Sequence, residues 1–114
     1  MSIDTSVIVK EVSTDLARKL KEENETVSTN TLNIIVKTVV REVIQKREYP
    51  DTMSEEAILD DLDKFYATIL RISEYDYNMI GAEGESQHAE NGVSRQYVDR
   101  DKYFSDVFKF VKFL

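Results

Sequence analysis

The sequence predicts an all-α fold: a small helical bundle with a long central helix, a glycine-containing extended arm and a C-terminal docking segment. Three observations carry that expectation. Apolar residues recur at three- and four-residue intervals through residues 30–48 and again through 55–80. Residues that favour helix starts, Ser, Thr, Asn and Asp, stand just before these stretches. The residues that break helices are kept out of them, with Pro50 the single proline and all three glycines gathered at Gly81, Gly84 and Gly92.

At 114 residues and 13.2 kDa the chain is one domain's worth. It carries 15 Lys+Arg against 22 Asp+Glu, a net charge of −7. A general or sequence-specific nucleic-acid binder needs an excess of cations to neutralise phosphates, and none is present. Cysteine is absent, which excludes disulfides, thiolate metal sites and thiol catalysis. The N-terminus lacks a basic, then apolar, leader, and no apolar run approaches the roughly 18 residues that span a bilayer. The expected place of work is a cytoplasm, or a particle assembled there, and not a membrane.

The elements follow in order. Within residues 3–23, Val7, Ile8, Val12, Leu16 and Leu20 have helical spacing, but the β-branched residues at the start lower helix propensity. The reading is a helix over 13–23, capped by Ser13 or Thr14, with Lys19 and Lys21 at its negative pole. A second helix runs over 30–48, where Leu32, Ile35, Val36, Val39, Val40, Val43 and Ile44 form one broad stripe. Tyr49-Pro50 ends it. Asp51 or Ser54 caps a third helix, with Glu55 and Glu56 in its first turn. Its apolar face continues through Ile58, Leu62, Phe65, Ile69, Ile72 and Met79 or Ile80, which makes it the spine of the fold. After Gly84 the period vanishes, and Asn91-Gly92 supplies a turn dipeptide, so a hairpin-like arm is expected. The C-terminal stretch fits a short helix through Val107, Phe108, Val111 and Leu114, or a strand through the Phe–Lys alternation. Pattern alone leaves both open.

Candidate chemistry is sparse. Glu55, Glu56, Asp60, Asp61 and Asp63 spread round one helix and read as a solvated face, with no metal expected. His88 is the only histidine, without a second histidine or cysteine for a metal set, and Ser86 or Ser94 near it does not make a nucleophile–base pair. Gly81-Ala-Glu-Gly84 follows a helix, lacks a P-loop lysine and sets acids where phosphates would lie. No catalytic residue and no cofactor is expected. Charge is distributed unevenly: Glu55, Glu56, Asp60, Asp61, Asp63, Glu74 and Asp76 face only Lys64 and Arg71 in 53–80, while 95–114 hold Arg95, Arg100, Lys102, Lys109 and Lys112 against three acids. An acidic body and a basic tail would meet across neighbouring subunits. About half of the segment holding Phe104, Phe108, Phe110 and Phe113 is expected to complete the core, but Phe108 and Phe110, or Val107 and Phe113, cannot all turn inward from one short element, so some apolar surface is left for a partner. Arg95 in a polar arm suits a carboxylate on another subunit.

The run from Tyr77 to Gly84 (Tyr-Asn-Met-Ile-Gly-Ala-Glu-Gly), followed by Ser86, His88, Glu90-Asn-Gly92 and Ser94-Arg95 with Tyr97, resembles the helix end and glycine-rich arm of the head-to-tail connector proteins of tailed bacteriophages. These are also called adaptor or head-completion proteins. The resemblance covers roughly residues 60–97; the N-terminal 28 residues depart from it. It implies a helical bundle (1–80), an inter-subunit arm (81–100) and a portal-docking tail (101–114), within one domain. It further implies a non-enzymatic virion protein of the neck, bound as a ring of about twelve copies beneath the portal after DNA packaging. The implied partners are the portal protein, neighbouring copies and a tail-side stopper or tail-completion protein, with packaged DNA passing through the ring. The contacts would fall on Gly81, Glu83, Gly84, His88, Asn91, Gly92, Ser94, Arg95 and Tyr97 of the arm and on Phe108, Phe110 and Phe113 of the tail. In such connectors arm and tail gain order on docking. A different class fits the acids of 55–63: a small helical phage protein that inhibits a host nucleic-acid enzyme by presenting carboxylates as a phosphate mimic.

Overall fold

The computed structural model describes residues 3–23, 27–83 and 100–110. These residues form helices and connecting turns, with no strand among them, in keeping with the all-α expectation. Four helices are present among them: α1 (Ser6–Glu22), α2 (Thr29–Arg47), α3 (Glu55–Asp63) and α4 (Tyr66–Glu83). The packing is a three-way contact of α1, α2 and α4. α3 closes one end of the bundle, through Ile58 and Leu62 in the same core.

α1 starts at Ser6, seven residues before the expected position, and Ser13 and Thr14 lie inside it rather than capping it. The reason is tertiary. Ile8, Val12, Leu16 and Leu20 form one buried line at four-residue spacing. Burying Ile8 and Val12 is worth about 1.5–3 kcal/mol each, against propensity deficits of at most about 0.7 kcal/mol per β-branched residue. The first free amide of the helix is met by Asp4, whose Oδ1 accepts from the Ser6 N–H at 3.0 Å.

α2 matches its expected span to within a residue at each end. Ser28 caps it, its Oγ accepting from the Thr31 N–H, and its own N–H donates to the Tyr77 hydroxyl at 3.2 Å, which ties the start of α2 to α4. Leu32, Val36, Val39, Val40 and Val43 are all buried. The helix ends at Glu48, which takes a left-handed conformation with φ 48° and ψ 57°, and Tyr49-Pro50 then turns the chain away.

Ser54 caps α3, accepting from the Ala57 N–H at 3.1 Å, and Glu55 and Glu56 fill the first turn as expected. The long central helix is divided. At Lys64 and Phe65 the amides donate three residues back, to Asp61 O (3.1 Å) and Leu62 O (2.9 Å), so α3 and α4 meet in a tight 3-10-type turn. An apolar period of three and four residues runs through such a turn undisturbed, which is why the sequence reads as continuous. At the far end α4 runs to Glu83, so residues 81–83 are helical rather than the start of an extended arm. No glycine among the described residues has positive φ. Gly81 is tolerated inside the helix at a cost of about 1 kcal/mol relative to alanine.

The C-terminal segment is part of the bundle. A helical turn over 100–103 is followed by turns over 104–106, and 107–110 have no regular structure, neither the helix nor the strand considered from the sequence. Phe104 and Val107 are buried in the main core beside α2, α3 and α4. Val107 is therefore a core residue and not a portal-docking one.

Candidate functional site

Two clusters of polar groups centre on arginines, and both hold the C-terminal segment. Arg47 is the last residue of α2 and only 8% exposed. Its Nε and Nη2 donate to Asp61 Oδ2 (2.8 Å) and Oδ1 (2.9 Å), a bidentate pair, and its Nη1 donates to the Phe108 carbonyl at 2.8 Å. The Tyr49 hydroxyl donates to Asp61 Oδ2 at 2.7 Å. The Arg47 carbonyl in turn accepts from the Phe110 N–H at 2.6 Å. Around the guanidinium stand the rings of Phe65, Phe110 and Tyr49, at 5.0, 5.2 and 5.9 Å. The left-handed Glu48 brings Tyr49 back over the end of its own helix, and the α3 register carries Asp61 inward between Ile58 and Leu62.

Burial acts to raise the Asp61 carboxyl, but the hydrogen bonds from Arg47 and Tyr49 and the Arg47 charge outweigh it and hold the group below its ordinary value. The Tyr49 phenol is pushed well up by burial and by Asp61. Asp61 is thus an anion with three donors on its two oxygens, which fills three of its roughly four acceptor positions. This corrects the reading of all five acids in 55–63 as a solvated face: Asp61 is buried and the other four are exposed. The sequence signal is its position, three residues after Ile58 and directly before Leu62 on the apolar stripe.

The second arginine, Arg100, stands where the chain re-enters the bundle. Its Nε and Nη2 donate to Asp76 Oδ1 (2.7 Å) and Oδ2 (2.9 Å), and Nη2 and Nη1 donate to Glu42 Oε1 (2.7 Å) and Oε2 (3.3 Å). The hydrogen bond to Asp76 is the largest of the effects that raise its pKa, partly opposed by burial. The Phe104 ring lies 5.2 Å from its guanidinium carbon. For Arg100, then, the basic tail meets the acidic body within one chain rather than across subunits.

Of the residues predicted for a contact site, Gly81 and Glu83 lie in the last turn of α4. Gly84, His88, Asn91, Gly92, Ser94, Arg95, Tyr97 and Phe113 lie outside the described residues. Phe110 is half-buried on its own chain, its ring 5.9 Å from that of Tyr49, so it takes part in the intramolecular clamp. Phe108 is 65% exposed, although its carbonyl is fixed by Arg47. The arrangement holds a strap, residues 104–110, against the bundle and offers one large apolar side chain from it. Among the described residues there is no cluster of three or more potential metal ligands. No helix among them is long and apolar enough to cross a membrane.

Fold and site together define a class: a small α-helical bundle whose ion-paired groups fasten its own C-terminal segment. No family model, curated protein or solved structure matches the chain.

Proposed function

We propose that the chain is a structural assembly protein, a head-to-tail connector of a tailed bacteriophage, bound as a ring beneath the portal and forming the docking platform for the next tail-side component. The observation that carries this reading is Phe108, an exposed aromatic on a strap whose backbone is already fixed by Arg47. An apolar anchor held in place before binding loses little entropy when a partner covers it, which is how a few residues come to dominate an interface. The likeness of residues 77–97 to the connector arm supplies the family, and the role it gives the arm is inter-subunit and portal contact. The function so read is non-enzymatic, its site is the virion neck, and its assembly takes place in the host cytoplasm.

The test is to mix the purified protein with portal rings and image the product by electron microscopy, using wild type, Phe108→Asp and a chain ending at Phe110. The cut belongs after Phe110, because Phe104 and Val107 are core residues whose removal would unfold the bundle. An added ring of density with wild type, weakened or lost with Phe108→Asp, supports the reading. A folded wild type that leaves a competent portal bare refutes it, and the exposed acids of α3 then favour the inhibitor of a nucleic-acid enzyme.

A further inference from the structure

The chain is acidic overall, with a net charge of −7, yet the face where α1 meets α2 is not. Lys10, Arg18 and Lys21 of α1 line a groove of about 540 Å³ against the start of α2, and among the described residues no carboxylate lines it. At Lys10 and Asn33 this groove passes into a wider one of about 1160 Å³, which takes in Lys37 and Arg41 of α2. The two acids at its far end are already engaged: Glu55 Oε1 accepts from the Asp4 N–H and Asp4 Oδ1 from the Ser6 N–H. All five cations are exposed, and none forms a salt bridge among the described residues. Ile34, 66% exposed, lies among them in the wider groove.

The same chain carries the complement. Glu56, Asp60 and Asp63 are exposed at i, i+4 and i+7 on α3, a single line of carboxylates about 10.5 Å long by the helical rise. They are likewise without a salt bridge among the described residues. On the cationic face Lys10 and Arg18 stand about 12 Å apart along α1, and Lys37 and Arg41 about 6 Å apart along α2, by the same rise. Since only Lys10 and Asn33 are shared by the two grooves, the cations follow one another along the face, from Arg41 and Lys37 through Lys10 to Arg18, and a helix edge of that length can lie along them. The line cannot fold back into its own groove, because Asp61 fixes α3 to the end of α2.

We infer that the α1–α2 face is a docking groove for a second copy of this chain, which lays the acidic edge of its α3, Glu56, Asp60 and Asp63, along the cations of the first. Two unlike patches joined in this way make a heterologous contact, the kind that closes into a ring or runs on as a filament. The net negative charge of the two bodies does not forbid it. At physiological salt the Debye length is about 8 Å, so distant like charges are screened while pairs in contact persist. Each exposed pair strengthens association by no more than about fivefold, which leaves free copies weakly joined and a pre-formed ring of binding sites able to gather them. The inference deepens the connector reading and rests on it only for the closure of the ring.

The test is a charge swap followed by sedimentation velocity at low ionic strength. Wild type is expected to associate with rising concentration and to dissociate on adding salt. Lys37→Glu with Arg41→Glu, and separately Glu56→Lys with Asp60→Lys, are each expected to weaken association at least tenfold with the helical fold retained, the second pair melting slightly lower because Glu56→Lys sets a cation in the first turn of α3. An equal mixture of the two variants is expected to recover it, since each then offers the other a complementary face. A wild type that stays monomeric, a variant that associates as wild type does, or a mixture that fails to recover overturns the inference. Portal decoration by wild type alongside a failed swap would leave the connector reading standing and remove only this interface. Recovery by the swap with bare portals would do the reverse.

Discussion

Arg47 uses its three guanidinium nitrogens and its own carbonyl to join the end of α2, the middle of α3 and the strap. Removing one partner of a buried ion pair leaves the other charge unmet, which costs about 3–5 kcal/mol. Set against a total of about 5–15 kcal/mol for a domain, Asp61→Asn is expected to take a large share of the stability, as a fall in the urea midpoint. Arg47→Met combined with Asp61→Leu is expected to cost less than Asp61→Asn alone, because no charge is then stranded. If the double replacement proves as damaging as the single, the pair is not what Asp61 contributes. Arg47→Lys keeps the charge but loses the fork, so the Phe110 amide should exchange faster while those of mid-α2 stay protected. This site was only partly legible in the sequence. An acid on an apolar stripe was visible at Asp61, but its partner lies 14 residues upstream on another helix. Nothing in a helical period states which of several arginines will arrive there.

Helix ends were legible where local chemistry sets them and not where packing does. Ser54 and the acids after it announced α3, and the run of Ser, Thr and Asn announced α2, since a cap is a bond between residues two or three apart. The start of α1 was not legible, because its β-branched turn is held by the core and not by propensity. The turn dividing α3 from α4 preserves the apolar order and so left no mark. The end of α2 carries a testable strain. Glu48 sits in the left-handed region, which costs a residue with a Cβ about 1–2 kcal/mol, while glycine there would cost about 0.5–1 kcal/mol in unfolded-chain entropy. The strain relieved exceeds the entropy lost, so Glu48→Gly is expected to stabilise by up to about 1 kcal/mol and to raise Tm by a few degrees. A lower Tm would mean that the Glu48 side chain contributes more than its backbone strain removes.

Over the whole molecule, the C-terminal segment joins four helices and a tail into one cooperative unit, since Phe104 and Val107 share the core of α1–α4 and Arg100 spans α2 and α4. Its groups also set the pH range in which the fold persists. Asp61 is held below its ordinary value of 3.8, so its contribution is complete above that value and is lost as the pH falls through the folded one. At the other limit, burial and then the hydrogen bond to Asp15 push the Tyr66 phenol up to about 12 from 10.0. A raised folded pKa gives stability that is full below the unfolded value, so the Tyr66 contribution is complete below pH 10.0 and is lost towards about 12. Lys19, raised by its hydrogen bond to Glu74, and Tyr49 weaken in the same direction. Tm is therefore expected to hold a plateau from above the carboxylate range to about pH 10 and to fall on both sides, as followed by circular dichroism. Tyr66→Phe separates this phenol from Lys19 and Tyr49: it should lower the plateau, through the lost bond to Asp15, and lessen the alkaline slope without abolishing it. An alkaline slope identical in wild type and Tyr66→Phe would show that the phenol titrates alike in both states, and that the α1–α4 contact through Asp15 is not formed in solution.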